Sequence, residues 1–112
     1  MTIYQITEEK CQVTKPTSKF TSAEKTKEAL YALVVANDRN PEEIYRSASP
    51  EEAREQFTKI KASIGVNETI GMIGDYNGFT TISFTVFELV EWEVNEDGDI
   101  IEGGDVWDWF MV

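Results

Sequence analysis

The run from Phe79 to Val94 alternates from side to side and is closed at both ends by hairpin dipeptides, Asn77-Gly78 and Asp97-Gly98. Successive side chains of a strand point to opposite faces. Ile82, Phe84, Val86, Val90, Trp92 and Val94 therefore share one face, and Thr81, Ser83, Thr85, Glu91 and Glu93 the other. Asn-Gly and Asp-Gly suit tight two-residue turns because both residues tolerate positive φ. The pattern predicts a strand over Thr69–Tyr76, weakened by Gly71 and Gly74, and a last strand over Ile100–Val112, broken at Gly103-Gly104. The chain should thus end in a three-stranded antiparallel meander.

Upstream the signals change. Met1–Ile6 is β-prone and reads as a first strand; polar Glu8–Lys19, with Pro16, reads as a loop. Thr21-Ser22-Ala23-Glu24 is a capping box before a helix to about Asn37, whose apolar face uses Ala23, Leu30, Leu33 and Val34, widened by Tyr31 and Val35. Asn40-Pro41-Glu42-Glu43 repeats the start logic and predicts a short helix of one or two turns. Ser49-Pro50-Glu51-Glu52 is the strongest local signal. It predicts a helix over Pro50–Ile64, with Ala53, Phe57, Ile60 and Ile64 at helical spacing and Gly65 as the left-handed cap. The expected fold is a single α+β domain over residues 1–112. It comprises an N-terminal strand, two main helices plus a short one, and the C-terminal meander, with the helices on one sheet face.

Charge is divided unevenly along the chain. All ten Lys and Arg residues come at or before Lys61, where ten acids balance them; residues 62–112 hold eleven acids and no base, and so the whole net charge of −11. This argues against direct binding of nucleic acid or an anionic membrane and favours basic proteins or cations. At 112 residues and 41% hydrophobic, the chain is large enough for a real core. No apolar run approaches the roughly 18 residues of a membrane span, and Met1–Ile6 lacks a charged leader and apolar region, so the expected location is the cytoplasm.

Histidine is absent and Cys11 is the single cysteine, which removes Ser-His and Cys-His chemistry, an internal disulfide and any Cys-pair metal site. The expectation is a non-enzymatic protein with no cofactor. Cys11 beside Lys10 reads as an inert loop thiol. Glu93, Asn95, Asp97, Gly98 and Glu102 superficially resemble a calcium loop, but position one is not Asp and position twelve is Gly104 rather than Glu. A solvated hairpin explains them better, leaving Asp97 and Asp99, with Glu88, as candidate ligand or cation contacts.

Glu88 is the odd residue, because it falls on the apolar face between Val86 and Val90. A buried, unpaired carboxylate is expensive. Three readings stand: a general acid in a cleft, a bulge near Phe87–Leu89 that turns it outward, or an ion pair with a base such as Arg54 or Lys61. In the last strand, Trp107, Trp109 and Met111 alternate with Val106, Phe110 and Val112, while Phe87 and Leu89 interrupt the polar face of the preceding strand. Apolar residues on both faces imply a cover on the second, either a second copy, a partner, a ligand or the chain itself.

The leading expectation is a small acidic interaction or accessory protein. Phe87, Leu89, Glu91, Glu93, Trp107, Asp108 and Trp109 would present an acidic, aromatic surface to a basic protein partner. A sharper form is a nucleic-acid mimic or inhibitor from a phage or mobile element. The alternative is a small-molecule or cation-binding module with a pocket near Glu88 and the tryptophans.

Overall fold

A computed structural model of the chain describes residues 1–16, 27–36, 39–64, 72–76 and 78–112. Its elements are β1 (Thr2–Pro16), α1 (Lys27–Ala36), β2 (Glu42–Ser47), α2 (Pro50–Ile64), β3 (Met72–Tyr76), β4 (Phe79–Val94) and β5 (Ile100–Met111). The class is α+β. The strands form one five-stranded sheet in the order β2-β1-β4-β3, with β5 also on β4.

The frame is the antiparallel pair β1–β4, which runs without a register shift from Thr2↔Glu93 to Pro16↔Phe79. β1 is therefore far longer than its apolar start. Glu8–Pro16 is strand, not loop, and its polarity has a simple cause. Glu8, Lys10, Gln12 and Thr14 occupy one face, where no described residue of α2 covers them, and Cys11 and Val13 pack on the other. With β1 along one whole edge of β4, the other edge is shared. β3 pairs with residues 79–82 and β5 with residues 86–94. The expected meander is thus not three strands side by side, because β3 and β5 lie end to end on the same edge.

The expected short helix is the strand β2. It pairs with β1 from Tyr4↔Ser47 to Glu8↔Glu42. Local capping chemistry at Asn40-Pro41 yields to the open edge of β1, which offers unpaired backbone groups to the β-prone Ile44 and Tyr45. α2 has the predicted bounds. The Ser49 hydroxyl accepts a hydrogen bond from the Glu52 amide at 3.3 Å, and Ser47 Oγ accepts from the Ser49 amide at 3.0 Å. In place of the expected return bond, the Glu52 carboxylate accepts the Ser47 hydroxyl at 3.3 Å. The Thr21–Glu24 capping box and the Gly65 cap lie outside the described residues.

The two helices lie on opposite faces of the sheet, not on one. α2 brings Ala53 and Phe57 against Tyr4, Ile6, Phe87, Leu89 and Phe110. α1 brings Leu30 and Val34 against Ile82, Phe84, Val86 and Met111. In β4 the first set is odd-numbered and the second even, so the pleat itself assigns each helix its side. Apolar residues at Phe87 and Leu89 do not break the strand pattern; they are the floor for α2. The second face, for which a cover was expected, is covered at one end by the chain's own α1.

β5 is bent by three register shifts against β4. The one opposite Leu89/Val90 leaves Trp107 as the extra residue, so Trp107 packs with the α2 cluster while Trp109 and Met111 pack with α1. Gly103 and Gly104 carry the one opposite Glu91/Trp92, at φ of 112° and 102°. A Cβ at Gly103 would meet the Glu91 carbonyl oxygen at 3.0 Å. At Gly98 (φ 84°) a Cβ would meet nothing within 4 Å. Gly98→Ala should therefore cost only the left-handed backbone term, about 1–2 kcal/mol. Gly103→Ala should cost at least about 1 kcal/mol more, because the neighbour is backbone that cannot swing away. Urea titrations of the two variants check the difference.

Candidate functional site

Glu88 is 2% exposed, and no register shift against β1 turns it outward. Its position follows from the strand: Thr7 lies opposite on β1 and Trp109 opposite on β5, all on the α1 face. Both carboxylate oxygens are occupied. Tyr31 of α1 donates its hydroxyl to Oε2, and Arg39, just beyond α1, donates from Nη2 to Oε1. Arg39 also donates from Nη2 and Nε to Glu9 Oε1, at 2.8 and 3.0 Å. Glu9 Oε2 accepts the Asn40 amide at 2.9 Å. The Tyr31 ring stacks on Trp109 at 4.1 Å between centroids and 4° between planes.

The cluster therefore fastens α1 and the chain beyond it to the sheet. Tyr31 holds the helix, and Arg39 with Asn40 holds the chain that leaves it. Burial opposes the Arg39 charge, yet hydrogen bonds from Glu88 and Glu9 outweigh it and raise the guanidinium above its ordinary value. Burial, followed by the hydrogen bond to the Glu88 carboxylate, raises the Tyr31 phenol. Neither group is poised to exchange a proton near neutrality. Of the three readings of Glu88, the ion pair is the one found, with a different base. Arg54 and Lys61 belong to α2 on the other face. Arg54 lies over the Trp107 ring at 4.6 Å.

The other sequence-derived candidates are dispersed. Phe87 and Leu89 are 4% and 2% exposed beneath α2, so they contribute to the core and not to a contact surface. Trp109 packs on the α1 face. Trp107 is half-buried on the α2 face, its ring 4.8 Å from that of Tyr4. With Arg54, Phe57, Thr58, Leu89 and Asp108 it lines a cleft of about 260 Å³. Asp108 is exposed and bonds the Trp109 amide at 2.8 Å. Glu88 and Glu91 point to opposite faces, as their partners Thr7 and Tyr4 require.

Glu91 and Glu93 do remain at the surface. Glu91 accepts the Tyr4 hydroxyl at 3.4 Å. Glu93 accepts the Thr2 hydroxyl, which, together with the amino terminus 3.4 Å away, holds its carboxyl below the usual range. Across the β4–β5 ladder Glu91 faces Asp105 and Glu93 faces Glu102. At the hairpin tip, Asn95 Oδ1 accepts the amides of Asp97 and Asp99 at 3.0 and 2.9 Å. This explains the Asn-x-Asp pattern as turn chemistry. Among the described residues no group of three or more acidic or cysteine side chains is gathered as metal ligands, and no helix is long and apolar enough to cross a membrane.

Cys11 sits half-buried on β1. Burial, with the nearby Glu9 charge, pushes its thiol up to about 11. No protein-family model, curated protein or solved structure matches this chain.

Tyr31, Arg39 and Glu9 were not singled out from sequence as partners of Glu88. The available signal was Glu88 itself: an acid on an apolar face requires a donor on whatever covers that face.

Two outcomes test this description. Glu88→Ala should destabilise the fold by about 3–5 kcal/mol, the usual loss when a buried pair is broken from one side. Glu88→Met with Arg39→Met should recover much of that loss, and Tyr31→Phe should cost about 1.5–3 kcal/mol; denaturant midpoints measure all three. Because its thiolate is suppressed, Cys11 should react with iodoacetamide at pH 8 roughly a hundredfold more slowly than a free cysteine, and at the ordinary rate once the chain is unfolded.

Proposed function

We propose that the chain is a small non-enzymatic accessory protein of the cytoplasm that recognises a basic protein surface through the acidic end of its sheet. The observation that carries this reading is the pairing of like charges across β4–β5. Glu91 opposes Asp105 and Glu93 opposes Glu102, with no base anywhere in residues 62–112 to offset them. Like charges directly opposite one another destabilise a strand pair. Held in place by a stable fold, the same charges gain most when a cationic partner neutralises them.

The neighbouring chemistry suits a protein partner. Glu51, at the start of α2, adds its charge to those of Glu91 and Glu93 around Tyr4. The cleft beside Trp107 offers a partly buried aromatic anchor next to exposed Asp108. Aromatic anchors within a charged rim are the usual means of partner recognition: the anchor supplies energy, and the rim supplies rate and selectivity. The sharper form of the proposal is mimicry of nucleic acid, in which the acidic ridge fills a nucleic-acid-binding groove as an inhibitor from a phage or mobile element would. The small-molecule alternative has less support, because both Glu88 oxygens are already bonded within the chain.

Affinity capture from cell extract tests the proposal. The expected partners are nucleic-acid-binding proteins released by salt and displaced by duplex DNA. Glu91→Lys with Asp105→Lys should weaken capture by about tenfold or more. Recovery of no salt-sensitive complex would sink it.

A further inference from the structure

The face that carries α1 is covered by that helix over the Ile82, Phe84 and Val86 end of β4. At its other end the ladder places Ile100 opposite Val94, Gly103 opposite Trp92 and Val106 opposite Val90. Directly opposed residues share a face, so Ile100, Trp92 and Val106 form a row along it. The glycine pair leaves room for the Trp92 ring, which approaches within 3.1 Å of where a Gly104 Cβ would stand. Its indole donates to Gln5 Oε1 at 2.8 Å, so the ring is fixed in place. Val90 and Val94 are 5% and 3% exposed, whereas Ile100 and Val106 remain 44% and 42% exposed, and adjacent Ile101 64%.

We infer that this row docks a basic amphipathic helix. The four residue steps from Val90 to Val94 span about 13 Å, and helix anchors at i, i+4 and i+7 span about 10.5 Å. Three apolar anchors therefore fit over Ile100, Trp92 and Val106. An added strand fits poorly, since the β5 edge is bent by its register shifts and paired glycines. Charge selects the occupant. Asp99 adjoins Ile100 at the hairpin tip, and residues 62–112 hold eleven acids and no base. A second copy would bring a further net charge of −11, and an anionic lipid surface would likewise be repelled. A helix with lysines or arginines flanking an apolar stripe meets both the apolar row and the negative field of this half of the chain. This surface lies on the sheet face opposite Glu91 and Glu93, so the inference stands apart from the proposal above.

The test uses three synthetic probes: an amphipathic Leu/Lys helix, a scrambled peptide of the same composition, and oligolysine of the same charge. Calorimetry should show the helix binding about tenfold or more tighter than either control. NMR shifts should centre on the Trp92 indole, Ile100 and Val106. Ile100→Ser with Val106→Ser should lower helix binding to the oligolysine level and leave oligolysine binding unchanged. The single Val106→Ser variant, at an exposed position of the row, gives a weaker loss of the same kind if the double variant does not fold. Equal affinity for all three probes, shifts centred on Trp107, or helix binding that neither variant lowers would overturn the inference. So would a dimer, measured by light scattering without peptide, that the serine variants dissolve, because the row would then be occupied by a second copy.

Discussion

The unbroken ladder between β1 and β4 is the constraint on which the other elements depend. A strand paired along one whole edge can accept neighbours only on the other, so β3 and β5 must share it end to end. A strand pair alone is not stable in water; it needs cover on its apolar faces. Because the apolar residues of β4 change from even positions near Ile82 to both parities near Phe87, cover is required on two faces. α1 and α2 supply it at offset positions, one on each side. Among the described residues, the offset leaves two areas with no helix over them and of different chemistry: a polar one beside Gln12 and Ser83, and an apolar one beside Trp92.

Glu88 stands where this arrangement is most demanding. It occupies a position whose neighbours on the strand, Val86 and Val90, are buried, and a carboxylate there is tolerable only with its oxygens bonded. Replacing such a pair by apolar residues is often neutral for stability. What the charged version adds is selectivity of placement. A hydrophobic contact between α1 and the sheet would be satisfied in several registers. A Tyr31 hydroxyl and an Arg39 guanidinium that both reach one carboxylate fix a single one, and Glu9 ties the same arginine to β1.

Much of the framework was legible in the chain. The alternation of Phe79–Val94, the turn signals and the Ser49-Pro50 cap report local geometry, and the structure places β4 and α2 within the predicted bounds. The failures share one cause, which is long-range pairing. Glu8–Lys15 is too polar to read as a strand until its partner is known, and Asn40-Pro41 offers helix chemistry that the free edge of β1 overrides. The same gap misassigned the partner of Glu88. Arg54 and Lys61 were reasonable only if both helices shared a face, and the parity of Phe87 and Leu89 was the clue that they do not. Trp107 was displaced by a bulge, which shifts every side chain beyond it and leaves little trace in sequence.

The distribution of charge gains a physical meaning from this fold. Where a base of the first half is within reach, acids are used internally: Glu9 and Glu88 share Arg39, and Glu43 is paired with Arg46. Beyond β4 no base remains to play that part, and the carboxylates of β5 stand opposite those of β4. A self-contained protein under selection for stability alone would interleave the signs, since each opposed like pair weakens the ladder. Concentrating acids on one hairpin, with a fixed tryptophan on each of its faces, sacrifices local stability for a surface that a cation can complete. That balance is affordable only because the β1–β4 ladder and its two helices supply the folding free energy elsewhere, leaving the hairpin free to be shaped by what it meets.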